Sequence, residues 1–439
     1  MNMNFSRRQF LVGAVPAAGC VALSAQAANA QDVLLEPPCR TAVRGSYDVV
    51  VAGGGPAGVA AAVAAGRRGA KTLLLESHGC LGGIWTSGLV GCVLDFDKGG
   101  LAAEITARLD ALGARKRDNR GNFHYEPEYM KFVCEEFCRE AGVSVRLMTS
   151  VVAVALDGTN RCVEAVITES KSGREAWRAK SFVDCTGDGD LAARAGCGFD
   201  MGITPDGFGQ PASLDALVLF EDAGKLQPFF MHGGSKCPRE ALAAEMRRAG
   251  VEPSYGIPTL YCIHPHLGVL MSNHEYKVRP DDADRLSEAT LAARREIIRQ
   301  ISALASLGGP WKGLRLAATA EQIGVRSARR IHGRYMLTRD DVMRGARFED
   351  AVCESRYPVD IHALDAKSGR SRPADTKTIK WQPFQIPLRA LRARDRDNLW
   401  MAGRCLSGDA IAHASYRVTG SAVATGSAAG RAAAEAALT

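Results

Sequence analysis

Residues 47–76 read YDVVVAGGGPAGVAAAVAAGRRGAKTLLLE, and the order of residue types in this stretch fixes the architecture. Asp48 to Ala52 is a short β-branched run, the pattern of a parallel strand buried on both faces. Gly53-Gly54-Gly55-Pro56-Ala57-Gly58 then supplies G-x-G-x-x-G where strand should become helix. Gly53 permits the tight turn, Gly55 has no Cβ to hold the backbone off a pyrophosphate, and Gly58 lets the helix lie against the strand. Pro56 and Ala57 open the helix, whose N-terminus faces the phosphates. Thr72 to Leu75 forms a second strand ending in Glu76. A carboxylate about twenty residues past the glycines accepts hydrogen bonds from a ribose diol and repels a 2′-phosphate. On these residues alone the dinucleotide is FAD or NAD.

The chain has 439 residues, 46% hydrophobic and 23% charged, as expected of a globular protein of two domains. Its formal charge is +7, and Arg7 and Arg8 lie in a first thirty residues that hold no acid. No basic stripe with interleaved aromatics points to nucleic acid. Ser6-Arg7-Arg8-Gln9-Phe10-Leu11, a modest apolar stretch and the small-x-small Ala28-Asn29-Ala30 together resemble a twin-arginine export signal cleaved before Gln31. The expectation is a periplasmic or secreted protein that meets the twin-arginine export machinery already folded. The apolar stretch is too short to be a stable membrane span.

The thirteen cysteines show no repeating spacing. Cys134 and Cys138 fall on one helix face, which suits packing better than metal. No metal is expected: His264, His266 and His274 have no carboxylate at a spacing that completes a zinc site.

Ser77 to Asp97 is glycine-rich, and Gly79, Gly82 and Gly83 allow backbone amides to approach a pyrophosphate or flat ring. Helical patterns over Leu101–Leu112 and Glu128–Ala141 flank a polar loop at Lys116–Asn122. Alternating runs at Val143–Met148, Ser150–Leu156, Cys162–Thr168 and Glu175–Ala179 predict a β-meander. Ser181–Cys185 is a further strand, ending in Thr186-Gly187-Asp188-Gly189-Asp190.

This order resembles the FAD-binding fold of the glutathione-reductase-like flavoproteins. Three stretches narrow the resemblance to the FAD-dependent oxidoreductases over nearly all of Tyr47 to Ala437: CTGDGDLAARAGC from Cys185, IGVRSARRIHGRYMLTRDDV from Ile323, and FQIPLRAL with AGRCLSGDAIAHASYRV from Phe384. The resemblance implies that Val151 and Val152 give backbone bonds to adenine and that the Thr186-Gly187-Asp188 turn abuts the cofactor. It implies that Gly403 and Arg404 end a strand at the flavin, and that the helix entered at Val418 aims its N-terminus at the flavin ring, where dipole and amides stabilise negative charge. Cys80 departs from the family, whose members generally carry an apolar or aromatic residue there. It has no C-x4-C partner, so dithiol chemistry is not expected.

The expected fold is α/β: a Rossmann-like FAD-binding domain with parallel sheet and β-meander, interrupted by an α+β substrate domain. The divisions are a signal at 1–30, the first half of the FAD domain at 46–200, the insertion at 201–315 with a long helix over Asp284–Leu307, and the second half at 316–439. Arg326, Arg329, Arg330 and Arg334 cluster with Glu321 and His332 on an expected helix, either as solvated ion pairs or with one arginine holding a substrate carboxylate.

The expected activity is hydride transfer from a small organic substrate to flavin N5, with electrons passed on to a separate acceptor. A flavin monooxygenase or oxidase, and a non-catalytic nucleotide-binding role, are the alternatives. No second G-x-G-x-x-G follows the meander, so NAD(P)H is not the expected donor. His413 is the candidate base, because histidine titrates near working pH. Arg417 is a candidate for an anionic substrate or the reduced ring, and Tyr416 is a further catalytic candidate.

Overall fold

Val49, Val50, Val51 and Ala52 are fully buried at the centre of a seven-stranded sheet, as their β-branched run requires. The computed structural model describes residues 34, 36, 38–118, 122–365 and 379–439, so the signal expected over 1–30 lies outside the described residues. The strand extends beyond its apolar part, over Ala42–Ala52. It pairs in parallel with Thr72–Leu75 on one side and Gly173–Asp184 on the other. Ser144–Arg146 adds in parallel to Thr72–Leu75.

Gly173–Asp184 is forked. Its first half pairs antiparallel with Val163–Ser170, and that strand pairs with Ser150–Leu156, which completes the meander. Its last residues, Phe182 to Asp184, pair in parallel with Leu399–Met401. Two expectations are corrected here. Glu175–Ala179 and Ser181–Cys185 belong to one strand, because the meander and the parallel core share it. Ser144–Arg146 does not open the meander; it is reached by a helical crossover, Pro127–Glu140, and so lies parallel.

The helix Pro56–Arg67 follows Gly55 directly, with Pro56 at its first position. A Cβ at Gly58 would sit 1.7 Å from the Gly53 carbonyl oxygen, so only glycine closes this turn. The helix Thr419–Leu438 lies along it. Cβ atoms at Gly426 and Gly430 would each come within 2.1 Å of a carbonyl oxygen, of Ala57 and Ala61 respectively. Glycine in one helix thus rests on backbone of the other, which locks their relative depth.

A second, antiparallel sheet has the order Thr259–His264, Leu267–Met271, Ala216–Leu219, Arg315–Thr319. It carries its own core, including Leu214, Val218, Leu270, Ile297 and Ile301, against the long helix Ala283–Ser306. Asp282 caps that helix by accepting from the Arg285 amide. The strand Arg315–Thr319 runs across the 315/316 division read from the sequence.

The arginine cluster is not helical. Arg329–Ile331 is a short strand paired with Phe199–Met201. Buried Arg330 donates to the carbonyls of Gly408 and Gly202, and these tertiary bonds override the local helical preference.

Candidate active site

A cavity of about 1110 Å³ runs from the glycine turn to the second sheet. Pockets for one drug-sized ligand span roughly 300–1,000 Å³, so this one has room for a dinucleotide and a small second molecule. Gly53, Gly55, Ala57, Glu76, Gly83, Val152, Thr186, Gly187, Asp188, Gly403, Arg404, Arg417 and Val418 all line it. Pro56, Gly58 and Gly82 do not. Pro56 and Gly58 shape the helix start, and the Gly82 amide donates to the Gly54 carbonyl at 2.8 Å to hold the following loop in place.

Glu76 is 5% exposed and bonded on both oxygens. Oε2 accepts from the Gly54 amide at 2.6 Å, and Oε1 accepts from the His78 amide at 2.7 Å and Ser77 Oγ at 3.1 Å. The acid therefore also fastens the glycine turn to the end of the second strand. Across the cavity, fully buried Asp184 accepts from the Thr186 amide and hydroxyl and from the Ala192 amide. These bonds shape the Thr186-Gly187-Asp188 turn, and burial pushes the Asp184 carboxyl up to about 6. Arg404 clamps the same turn, donating to the Gly187 carbonyl at 2.9 Å, to Asp188 Oδ1 at 2.5 Å and to the Val325 carbonyl. Its guanidinium is thus committed to protein groups. Val152 sits at a register shift, where Val151 pairs with Thr168 and Ala153 with Ile167, so its backbone is left out of the ladder beside the cavity.

Two helix starts, at Ala57 and at Val418–Thr419, open on this one cavity. Their first-turn amides have no partners within the helix. At Gly55 an added Cβ would meet only the Gly83 Cα, at 3.9 Å, and otherwise project into open space. A cradle that only a side chain would fill, faced by helix amides and backed by an acid at the end of the second strand, fits the pyrophosphate and ribose of a dinucleotide.

The catalytic candidates read from the sequence divide. Arg417 lines the cavity, with Nη2 donating to the Asp360 carbonyl at 3.0 Å and to Asp360 Oδ2 at 3.2 Å. His413 and Tyr416 do not line it. His413 is fully buried in the short helix Ala410–Tyr416, and its pKa is driven well below the ordinary value by burial and by Arg330, Arg417 and Arg404. Off the cavity wall and with its affinity for a proton so reduced, His413 is not placed to act as the base there. Fully buried Tyr416 donates to the Leu406 carbonyl at 2.9 Å. Asp409 caps the helix and does not pair with Arg417.

The far wall supplies polar groups that sequence reasoning passed over: Asp215 beside the strand Ala216–Leu219, Arg239 on the helix Pro238–Arg248, Tyr255, and Asp360 and His362 from the segment after Ser355. Asp215 is 5% exposed, its Oδ1 has no donor among the described residues, and burial pushes its carboxyl up to about 7. A signal was available: an acid inside the apolar run Leu214 to Phe220 is unusual unless it is paired or functional. His362 is pushed down to about 4 by burial and by Arg326. Of the four clustered arginines only Arg326 lines the cavity; Arg329 pairs with Asp190 and Arg334 with Asp397.

Cys80 lies off the cavity wall, 3.4 Å from Ser87 Oγ. Cys92 lines the cavity, but burial pushes its thiol up to about 12, so it stays protonated. Cys134 and Cys138 are buried in the main core. His266 Nδ1 lies 3.3 Å from the Phe220 carbonyl, and His274 packs against Tyr255 with ring centres 4.0 Å apart. Among the described residues no group of three His, Cys, Asp or Glu side chains is placed to hold a metal ion. No helix among them is long and apolar enough to cross a membrane.

A parallel sheet with a glycine turn, an acid-ended second strand and a meander around one large cavity defines a dinucleotide-dependent enzyme of Rossmann-like fold. The chain belongs to the FAD dependent oxidoreductase family, whose pattern matches residues 48–439. FAD is accordingly the dinucleotide, and the protein is an enzyme. A stretch of 99 residues is 41% identical to nicotine dehydrogenase of Pseudomonas putida, covering 22% of this chain and 20% of that protein, so the chain matches about a fifth of the length of this curated relative. Among solved structures, p-nitrophenol 4-monooxygenase of Pseudomonas putida superposes with a TM-score of 0.43 at 16% identity, covering 66% of this chain and 70% of the other. A geranylgeranyl bacteriochlorophyll reductase-like protein of Thermoplasma acidophilum gives 0.44 at 13%, covering 89% and 77%. The myxobacterial chondrochloren halogenase gives 0.44 at 12%, covering 85% and 72%.

Proposed function

We propose that the protein is an exported flavin dehydrogenase that oxidises a small organic molecule and passes the electrons to a separate acceptor. FAD, when bound, supplies the hydride-accepting centre. The single observation that carries the reading is the continuous cavity in which one end is a phosphate cradle and the other is a wall of arginine, aspartate and tyrosine side chains, Arg326, Asp215 and Tyr255 among them. Gly53, Gly55 and Ala57 hold the pyrophosphate, Glu76 the ribose, Val152 the adenine, and the turn at Thr186 to Asp188 with Gly403 and Val418 the flavin end. The residues of 201–315 close the substrate side and exclude water. Arg417, fixed by Asp360, keeps positive charge where negative charge develops on reduction.

Anaerobic mixing of the flavin-loaded protein with candidate alcohols and amines tests this proposal. Bleaching of the visible flavin bands by such a substrate, with little oxygen uptake in air and no bleaching by NADH or NADPH, is the expected result. Stoichiometric oxygen consumption during turnover would instead favour a monooxygenase or oxidase. A flavin that no organic donor reduces would favour a non-catalytic role.

A further inference from the structure

Asp215 and Arg326 line the same cavity, and among the described residues neither makes an ion pair, though each lies within reach of the other's charge. Arg326 Nη1 donates to the Pro211 carbonyl at 2.6 Å and to Ser213 Oγ at 2.9 Å, and Nη2 lies 4.0 Å from Met271 Sδ. These are all neutral partners, whereas Arg329, Arg334 and Arg417 each meet a carboxylate. Burial and the nearby Arg417 press the Arg326 pKa below its ordinary value, so an arriving anion would relieve an existing cost. Ser213 and Asp215 both line the cavity, on either side of fully buried Leu214. Side chains two residues apart on extended backbone share a face at about 7 Å. That spacing lets one small molecule touch the guanidinium seated on Ser213 and the carboxyl of Asp215 together.

We propose that Arg326 and Asp215 receive the substrate as an anion: a small organic acid bearing an alcohol or amine, whose carboxylate pairs with Arg326 while Asp215 takes the proton from its O–H or N–H. The inference rests on the reading of the protein as a dehydrogenase. The O–H or N–H bond breaks with its proton going to the Asp215 carboxylate. The adjacent C–H hydrogen leaves with its electron pair for the flavin, and a C=O or C=N bond forms. The substrate is oxidised by two electrons and the flavin is reduced by two. A base that titrates near 7 suits this step at neutral pH. The charged group that acts on Asp215 is Arg326, and Tyr125, Tyr255 and Tyr261 are phenols within reach of its charge, each held neutral by burial.

Calorimetric titration of the flavin-loaded protein with acetate, propionate and benzoate, each against its neutral amide, tests the assignment without turnover. The wild type should bind at least one acid tenfold or more tightly than its amide. Arg326→Gln should erase that preference while keeping the flavin spectrum, and Arg326→Lys, which keeps the charge, should retain part of it. Acid binding to the wild type should weaken as pH rises through 7, because ionised Asp215 repels the bound anion; in Asp215→Asn this dependence should vanish. Absence of any acid-over-amide preference in the wild type overturns the proposal, and so does a preference that survives in Arg326→Gln. Identical pH profiles in the wild type and Asp215→Asn overturn the placing of Asp215 beside the anion. Vigorous oxygen uptake would defeat the dehydrogenase reading yet leave these titrations unchanged, so the two failures are distinguishable.

Discussion

Gly55 and Gly58 are three residues apart, and replacing them should fail for different reasons. At Gly55 the backbone is ordinary, with φ −72°, and a Cβ meets nothing closer than 3.9 Å. Gly55→Val should therefore give folded protein with a near-native melting temperature and no yellow colour, since the methyls occupy the phosphate cradle. At Gly58 a methyl collides with the Gly53 carbonyl, and Gly58→Ala should lose about 3 kcal/mol of stability whether or not flavin is added. Thermal melts beside flavin content separate the two cases. Asp215 predicts a pH signature. Its folded carboxyl titrates near 7 and its unfolded one near 3.8, so the unfolded chain gives up its proton first, and stability present below about pH 4 is lost as pH rises through 7. Asp215→Asn should accordingly be more stable than wild type at pH 8, on the order of 2 kcal/mol, with the gain shrinking by pH 5. His413 shows the limit of reading chemistry from residue type. Arg417 nearby lines the cavity, but the sequence does not say which side of a short helix faces it, and the His413 side chain packs against Tyr416 with ring centres 5.6 Å apart.

At the scale of elements, the depth of one helix on another decides the site. Gly426→Val would thrust a side chain at the Ala57 carbonyl, 2.1 Å from where its Cβ must go. Gly426 does not itself line the cavity, yet the substitution should push the two helices apart, displace Ala57 at the phosphate cradle and lower flavin affinity tenfold or more, measurable by equilibrium loss of the cofactor on dilution. The glycine turn, its strand and its helix were legible because strand, turn and cap signals are local and agreed with one another. The strand Ser150–Leu156 and, to within a residue at each end, the helices Pro127–Glu140 and Ala283–Ser306 followed from periodicity in the same way. The arginine run at 326–334 was misread because its strand is imposed by partners far along the chain, the carbonyls of Gly202 and Gly408. Likewise, Asp215 and His362 meet at the cavity only through tertiary packing, and no spacing in the sequence brings those two positions together.

For the whole molecule, the proposed export supplies the fourth prediction. Changing Arg7 and Arg8 together to lysine should strand flavin-loaded protein in the cytoplasm, followed by fractionation and flavin fluorescence; unchanged export would mean another route. The same scale carries a consequence of the glycine-on-carbonyl contact between Pro56–Arg67 and Thr419–Leu438. The two walls of the cofactor site are made far apart in time during protein synthesis. While the ribosome is still reading the middle of the message, the nascent dinucleotide unit has a phosphate cradle but no roof, and the alanine face of its first helix lies open to solvent and chaperones. A site whose second wall is the helix Thr419–Leu438 cannot close on a flavin until that helix has been made and has docked, however early the glycine turn folds.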